Sequence, residues 1–425
     1  MNPKISVCII AKNEDKYIED CIKSVLPISN EIIVLDTGST DKTIEISSKY
    51  AKVYQSVWKD DFSKARNECI SYAKGDWIIN LSADERLTKE CTNNLLKYLK
   101  SLDHIHSPII LYLKVLEQSN DNRFINSYLK DYIFNKGYGT KYIRQIHEYL
   151  VTNDEANTIR QTNTFLTIFH IGETRSQKEL YDKKENYIKK INNLIGANPD
   201  KLDNYYYYRH LGDEYFETEQ HDKSLEAYLL SYKLMIKIGF EKENIFYQSV
   251  VSRIVKELIF FQKDYQQALN YISEQFNLNP ESPELLFYLG FCKNRLGENN
   301  LGLNFHKKAL SLLDYNEINK PLIANLCVEI GRFSIIYDYE YGINYLLKAH
   351  NIFPESEPII EHVIKYYLLR DDFLNALKFY NLISENNNFI SNYNLSCEIF
   401  RYLEKQSHWE EQEISSIRNK IKTSI

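Results

Sequence analysis

Glu31-Ile32-Ile33-Val34-Leu35-Asp36-Thr37-Gly38-Ser39-Thr40-Asp41 reads as a short apolar strand ending in a carboxylate, then a small-residue turn and a helix start. In open α/β sheets ligands sit outside the carboxyl ends of the strands. A carboxylate at such an edge can accept hydrogen bonds from a nucleotide base or ribose. Upstream, Ile5-Ser6-Val7-Cys8-Ile9-Ile10 reads as a strand of the same kind. Downstream, Trp77-Ile78-Ile79 leads into Asn80-Leu81-Ser82-Ala83-Asp84-Glu85, a second strand that ends in acidic residues. Two strands aiming carboxylates at one crevice predict a nucleotide-plus-metal site, and so an enzyme. No Gly-x-Gly-x-x-Gly turn follows the first strand, which argues against dinucleotide binding.

Working outward, short β-branched runs alternate with helical stretches over the first 170 or so residues. Strands are expected at Ile5–Ile10, Glu31–Leu35, Lys52–Ser56, Trp77–Leu81 and Ile109–Val115, and helices at Asp15–Leu26, Thr40–Tyr50, Ser63–Ala73 and Lys89–Leu102. Such alternation predicts an α/β domain, a Rossmann-like and mainly parallel sheet covered by helices on both faces. From about residue 178 the strand-like runs stop and helical stretches repeat. Aligning the small residue of each second helix gives Ser224, Ala268, Gly302, Gly342 and Ala376, spaced 44, 34, 40 and 34. The tetratricopeptide unit is 34 residues long, with small residues where its two helices cross. The series resembles those repeats, with insertions in two units; a plain helical bundle is the other reading. A stack of this kind offers a surface for an extended peptide or another protein. The expected domains are 1–177 (catalytic α/β), 178–394 (all-α tetratricopeptide-like repeats) and 395–425 (capping helices).

Composition narrows the class. With 44% hydrophobic and 26% charged residues over 425 positions, the chain has the make-up of an ordinary globular protein of two or three domains. A net charge of −6 provides no general attraction to nucleic acid or anionic membrane. Seven widely spaced cysteines without a Cys-x-x-Cys pair fit a reducing cytosol better than a disulfide framework or a zinc site. The apolar run Ile5–Ala11 is too short for a signal peptide, and no run approaches the roughly 20 residues that span a bilayer. A soluble cytoplasmic protein is the expectation.

Four motifs in order, Val7-Cys8-Ile9-Ile10-Ala11-Lys12-Asn13-Glu14, Ile33-Val34-Leu35-Asp36-Thr37-Gly38-Ser39-Thr40-Asp41, Asp61-Phe62-Ser63-Lys64-Ala65-Arg66-Asn67 and Leu81-Ser82-Ala83-Asp84-Glu85, resemble the family 2 glycosyltransferases of the GT-A fold. The likeness covers roughly residues 3–175. It implies a sugar-nucleotide site formed by Ala11, Asn13, Glu14, Asp36, Gly38, Ser39, Lys64, Arg66, Asn67, Ser82 and Ala83. Asp36 would accept from uracil or ribose, or else cap the helix from Thr40. Asn13 and Glu14 open a loop whose N–H groups and helix N-terminus would face the ligand. Lys64 and Arg66 would touch the diphosphate, or Arg66 would pair with Asp60 or Asp61 at the surface. The family usually shows Asp-x-Asp where this chain has Ser82-Ala83-Asp84, so Asp84 would hold Mg²⁺ or Mn²⁺ and Ser82 the ribose. Glu85 reads as structural or sugar-contacting. Tyr142-Ile143-Arg144-Gln145-Ile146-His147-Glu148 resembles the family's Ile-His-Glu segment, making Glu148 the catalytic base with His147 beside it; a core histidine is the other reading of His147. The preceding Asp131 stands where the family more often has Arg. In Phe169-His170-Ile171-Gly172-Glu173, His170 sits where a late histidine completes the metal shell, the alternative being a structural role.

The pairing of such a domain with repeats, and the stretch Trp58…Asp61-Phe62-Ser63…Ala65-Arg66-Asn67, resemble the sublancin-type peptide S-glycosyltransferases. That resemblance implies inverting transfer of a hexose, commonly glucose from UDP-glucose, to Cys or Ser of a bacteriocin precursor held by the repeats; an exposed terminal face of the repeat stack makes a homodimer a further possibility. Two other readings stand: a transferase acting on a cell-envelope glycan or lipid-linked acceptor, and a non-enzymatic repeat scaffold.

Overall fold

The computed structural model describes residues 3–118, 124–171, 177–196, 198–316, 319–335, 337–370 and 372–384. The stretch 395–425 read as capping helices, with Cys397, lies outside the described residues, as do Gly172 and Glu173. The chain divides into two compact units, residues 1–198 and 199–425.

In the first unit β1 (Ile5–Ala11), β2 (Glu31–Asp36), β3 (Lys52–Gln55) and β4 (Trp77–Ser82) run parallel, in the order β3-β2-β1-β4. The sheet continues through β7 (Phe124–Asn135), β6 (Ile109–Gln118), β10 (Ile159–His170) and the three-residue β5 (Glu85–Leu87). The β4–β7, β7–β6 and β10–β5 pairings are antiparallel, and β10 runs parallel to β6. The expected mainly parallel sheet is therefore a mixed one, parallel in its N-terminal half. A separate ribbon joins β8 (Lys141–Ile143) and β9 (Tyr149–Val151).

The apolar runs need cover on both faces because alternate side chains point to opposite sides. Val7 and Ile9 of β1 pack with α1 (Ile18–Val25) and α4 (Lys89–Ser101), whereas Cys8 packs with α3 (Phe62–Ser71) on the other face. Helix α1 buries Ile18, Cys21, Ile22 and Val25, one stripe at helical spacing. Asp61 and Thr88 start α3 and α4 by accepting from the backbone N–H of Lys64 and Cys91, both at 3.0 Å. A short α2 (Thr43–Ser47) follows β2, and α5 (Gln177–Ile195) ends the unit.

Register brings the site strands into line. Ala11 pairs with Asp36 and Ile10 with Ser82, so the ends of β1, β2 and β4 form one carboxyl edge.

The second unit is a run of helix pairs: α6 (Asn204–Glu217) with α7 (His221–Ile238), α8 (Ile245–Glu257) with α9 (Tyr265–Phe276), α10 (Pro283–Arg295) with α11 (Asn299–Ser311), α12 (Lys320–Ser334) with α13 (Tyr339–Ile352) and α14 (Glu357–Leu368) with α15 (Phe373–Ser384). Ser224, Ala268, Gly302, Gly342 and Ala376 each stand fourth in a second helix, and all are buried. That position faces the first helix: Ser224 Oγ donates to the Gly212 carbonyl at 3.0 Å, and a Cβ on Gly302 would lie 2.7 Å from the Gly290 carbonyl. The 44-residue interval contains the longer α7 and a π-helical turn, Leu258–Gln262, that extends α8. Repeat pairs thus replace the plain bundle as the architecture.

The described cysteines (8, 21, 69, 91, 292 and 327) are free and buried. Among the described residues no helix is long and apolar enough to cross a membrane.

Candidate active site

Asp36 is 1% exposed at the end of β2. Its Oδ1 accepts from the N–H groups of Gly38 and Ser39, each at 2.9 Å, a turn that Gly38 permits with φ +108°. Helix α2 begins later, at Thr43, whose N–H and hydroxyl both donate to Asp41. Asp36 is thus no cap for a helix from Thr40. Its Oδ2 is buried and has no hydrogen-bond partner, and a buried carboxylate oxygen in that state calls for a donor.

The β1–α1 loop departs from expectation. The N–H groups of Asn13, Glu14 and Asp15 donate to Ser39 Oγ (2.9 Å), Thr43 Oγ1 (2.8 Å) and Asp41 Oδ2 (3.1 Å). Asn13, in left-handed backbone at φ +57°, returns the bond by accepting from Thr40 N–H at 2.8 Å. The Ala11 carbonyl accepts from Thr37 N–H at 2.9 Å. These amides fasten one loop to the next instead of facing a ligand.

At the end of β4, a buried Glu85 holds the turn with both oxygens. Oε2 accepts from Ser82 N–H at 2.7 Å, and Oε1 from the Tyr132 hydroxyl at 2.5 Å and Lys130 Nζ at 3.3 Å. Glu85 is therefore structural. The clamp presents Asp84, whose carbonyl accepts from Ile171 N–H at 3.1 Å. Its carboxylate Oδ2 lies 3.3 Å from His170 Nε2, both side chains being partly exposed. Burial raises the Asp84 carboxyl, but the hydrogen bond and charge of His170 outweigh it and hold the group at about 2. Among the described residues no cluster of three metal-ligating side chains forms. One carboxylate oxygen from the β4–β5 turn and one imidazole nitrogen from the end of β10 fit the protein's share of a Mg²⁺ or Mn²⁺ shell whose other ligands would be diphosphate and water oxygens.

Lys64 and Arg66, two apart on α3, point different ways. Lys64 is exposed and bridges to Asp61 at 3.2 Å. Arg66 is buried, and its partner is neither Asp60 nor Asp61: Nε meets Glu148 Oε1 at 2.6 Å and Nη2 meets Ser82 Oγ at 3.4 Å. The guanidinium also lies over the Tyr142 ring, 5.5 Å from its centroid. Burial alone would raise the Glu148 carboxyl; the Arg66 charge outweighs it and keeps the group below the usual carboxylate range. Asn67 exchanges two 2.8 Å hydrogen bonds with the Tyr142 main chain and so ties α3 to β8 at both ends of its amide. His147 sits in left-handed backbone at φ +53° in the turn before β9, not between core strands, with its ring 5.8 Å from that of Tyr187. A cavity of about 520 Å³ opens nearby, lined by Trp58, Phe62, Asp182, Asn186, Tyr187 and Lys190 among others.

Sequence reasoning missed Lys130 and Tyr132, which share one face of β7 and both reach Glu85, and it missed Tyr142. A period of two through Lys130-Asp131-Tyr132 was the available signal. Asp131 points the other way: its Oδ2 accepts from Leu150 N–H at 2.9 Å. Burial pushes its carboxyl up to about 6, against the Leu150 N–H and Lys130. A carboxyl raised in the folded state contributes full stability below its unfolded value near 4, lost as pH rises through about 6. Asp131→Asn, which keeps an acceptor for Leu150, is expected to stabilise the first unit by up to about 3 kcal/mol at neutral pH and to leave it unchanged at pH 4. Urea melts of both proteins at the two pH values check this; a uniform loss at both would contradict it.

Residues 6–160 match the model described as Glycosyl transferase family 2. The chain is 44% identical over 93 residues to the TPR repeat-containing protein Synpcc7942_0270 of Synechococcus elongatus, covering 22% of this chain and 23% of that protein. It is 40% identical over 121 residues to the SPbeta prophage-derived glycosyltransferase SunS of Bacillus subtilis, covering 25% of this chain and 28% of that protein. The chain thus spans about a quarter of the length of these curated relatives. Among solved structures, the crystal structure of PilW, a widely conserved type IV pilus biogenesis factor, aligns with 52% of this chain and 92% of its own at 13% identity and a TM-score of 0.41. Residues 6–160, which carry the Asp36 edge and Asp84, thus bear the likeness to the family 2 glycosyl transferase domain.

Proposed function

We propose that this chain is an inverting, metal-dependent glycosyltransferase that moves a hexose from a UDP-sugar, glucose in the first instance, to a Cys or Ser side chain of a polypeptide such as a bacteriocin precursor. The observation that carries the reading is the strand edge, where the partnerless Asp36 Oδ2 of β2 stands opposite Ala11 of β1, the strand that pairs on its other side with β4 leading to Asp84. That oxygen suits the N–H of a uracil or a ribose hydroxyl. The partial match to a prophage-derived glycosyltransferase, and the helix pairs of the second unit, support a polypeptide acceptor bound by the repeats.

Asp84 and His170 would hold Mg²⁺ or Mn²⁺. The ion supplies Lewis-acid stabilisation of the departing diphosphate. Arg66 adds a fixed, desolvated positive charge between Ser82 and Glu148, so charge on the donor side and the base on the acceptor side share one guanidinium. Glu148, held ionised by Arg66, takes the proton from the attacking hydroxyl or thiol while the anomeric carbon exchanges its bond to diphosphate oxygen for one to the acceptor atom. Attack from the face opposite the leaving group inverts that carbon. The cavity beside Trp58, Phe62 and Tyr187 provides an acceptor-side surface. Its aromatic faces with Asp182 and Asn186 also suit a sugar ring, which favours the glycan-acceptor alternative at that point.

The test is incubation with UDP-glucose and Mn²⁺ of paired peptides differing only in Cys or Ser, followed by mass spectrometry. A hexose adduct on the peptide is expected; adducts confined to oligosaccharide or lipid-linked acceptors would overturn the polypeptide reading. Because a thiol ionises near pH 8.5 and a hydroxyl does not, Glu148→Gln is expected to slow transfer to Ser about tenfold more than transfer to Cys. Equal losses on the two peptides would remove Glu148 from the base role.

A further inference from the structure

Two side-chain clusters in the repeat unit share one unusual composition. Asp213 on α6 accepts from Arg209 one turn earlier (Nη1 to Oδ2, 3.1 Å) and from Arg253 on α8 (Nε to Oδ1, 2.5 Å), while the Tyr228 hydroxyl also reaches Oδ1 at 2.8 Å. Glu329 on α12 accepts at Oε1 from Arg332 on the same helix (3.0 Å) and from Arg295 on α10 (3.5 Å). In each case two guanidiniums share one carboxylate across neighbouring first helices, leaving one positive charge over. A chain of net charge −6 places this excess twice, around the tenth residue of α6 and of α12, the cross-helix arginine coming from the next first helix in one cluster and from the previous one in the other.

The excess charge is half-buried, held in place and felt by its neighbours. The four arginine side chains are 18%, 30%, 23% and 36% exposed, in the order Arg209, Arg253, Arg295 and Arg332. Arg209 lies over the Phe246 ring and Arg295 over the Phe291 ring, 5.8 and 4.3 Å from their centroids, so packing fixes both guanidinium planes. Arg209 Nε is buried without an acceptor. Burial, with Arg253 adding to it, lowers the Arg209 pKa against the pull of Asp213. On α14, burial and then Arg332, with Lys365 and Arg295, hold His362 down at about 4. Internal ion pairing alone asks for one arginine per carboxylate. A second guanidinium, stacked, partly desolvated and still reachable from solvent, is suited to an external carboxylate, for which Arg is the preferred planar partner.

We propose that the first helices of the repeat unit form a docking row for an acidic, extended segment of the acceptor polypeptide, its carboxylates meeting the guanidinium edges that Asp213 and Glu329 leave over. This rests on the polypeptide reading of the acceptor, and charge complementarity selects the occupant. Several weak pairs along a row give affinity that depends strongly on salt.

The test is fluorescence anisotropy of the full chain, without sugar nucleotide, using a fluorescein-labelled peptide of alternating Glu and Ala. The same peptide with Gln for Glu, and a labelled RNA oligonucleotide of equal length, serve as the other probes. The Glu peptide is expected to bind at least about tenfold more tightly than the Gln peptide, with affinity falling about tenfold between roughly 50 and 500 mM salt. Arg209→Gln combined with Arg332→Gln is expected to weaken it about tenfold or more, the loss of two charge-assisted contacts. Equal binding of the Glu and Gln peptides overturns the proposal, as does RNA binding as tight as that of the Glu peptide. Should the double variant lose its helical circular dichroism signal, the peptide pair and the salt series on the unaltered protein decide alone. Turnover of UDP-glucose is measured separately, so failure of the transferase reading and failure of the docking row are told apart.

Discussion

Asp84→Ala is expected to lower Mn²⁺-dependent turnover of UDP-glucose by about a thousandfold, roughly 4 kcal/mol of transition-state stabilisation. Asp84 supplies the only carboxylate of the two-residue Asp84–His170 set, and His170 alone is a poor site for a hard cation that favours oxygen. The substitution is expected to leave the fold intact. The turn is held by the Glu85 carboxylate on Ser82 N–H and by the Asp84 carbonyl on Ile171 N–H, neither of which uses the Asp84 side chain. Initial rates across an Mn²⁺ titration, with thermal melts run alongside, make the comparison. Turnover within about tenfold of the unaltered protein at saturating Mn²⁺ would take Asp84 out of the metal site and leave the scaffold reading in force.

The second large effect falls on stability. Arg66 and Glu148 are 5% and 12% exposed, and the 2.6 Å contact joins residues 82 positions apart. Removing one partner strands the other charge in the interior, which costs about 3–5 kcal/mol; replacing both with apolar residues of similar volume is often neutral. Arg66→Met is therefore expected to lower the unfolding free energy of the first unit by about that amount. Arg66→Met with Glu148→Met should recover most of it. Denaturant unfolding of the two singles and the double closes the cycle. A double variant as unstable as the sum of the singles would show that packing over the Tyr142 ring, not charge, makes the contact matter.

The strands that carry the site were the most legible part of the chain. β1, β2 and β4 are continuous apolar runs because helices cover both their faces, and their ends fall within one residue of the expected ones. The repeat series was legible for a related reason: only a small side chain fits at the fourth position of each second helix, so packing leaves a mark on composition. β5 is three residues long and exists through its pairing with β10, a contact that no local pattern encodes. β7 has polar residues at its centre because Lys130 serves Glu85 and Asp131 serves Leu150 N–H, so its period of two is masked by function. The partner of Arg66 could not be found locally either. Asp60 and Asp61 are near in sequence, but Asp61 is committed to the start of α3 and Asp60 pairs with Lys190, which leaves the distant Glu148. Ser82 offers Arg66 a hydroxyl, so among its described contacts the guanidinium has one carboxylate partner, Glu148, and one neutral one.

The fastening of the β1–α1 loop to the β2–α2 loop bears on how the enzyme meets its donor. Three successive amides and the Asn13 side chain lock the rim of the crevice before any nucleotide arrives. Little conformational entropy is then left to lose on that side. Donor capture there should resemble a key entering a finished lock.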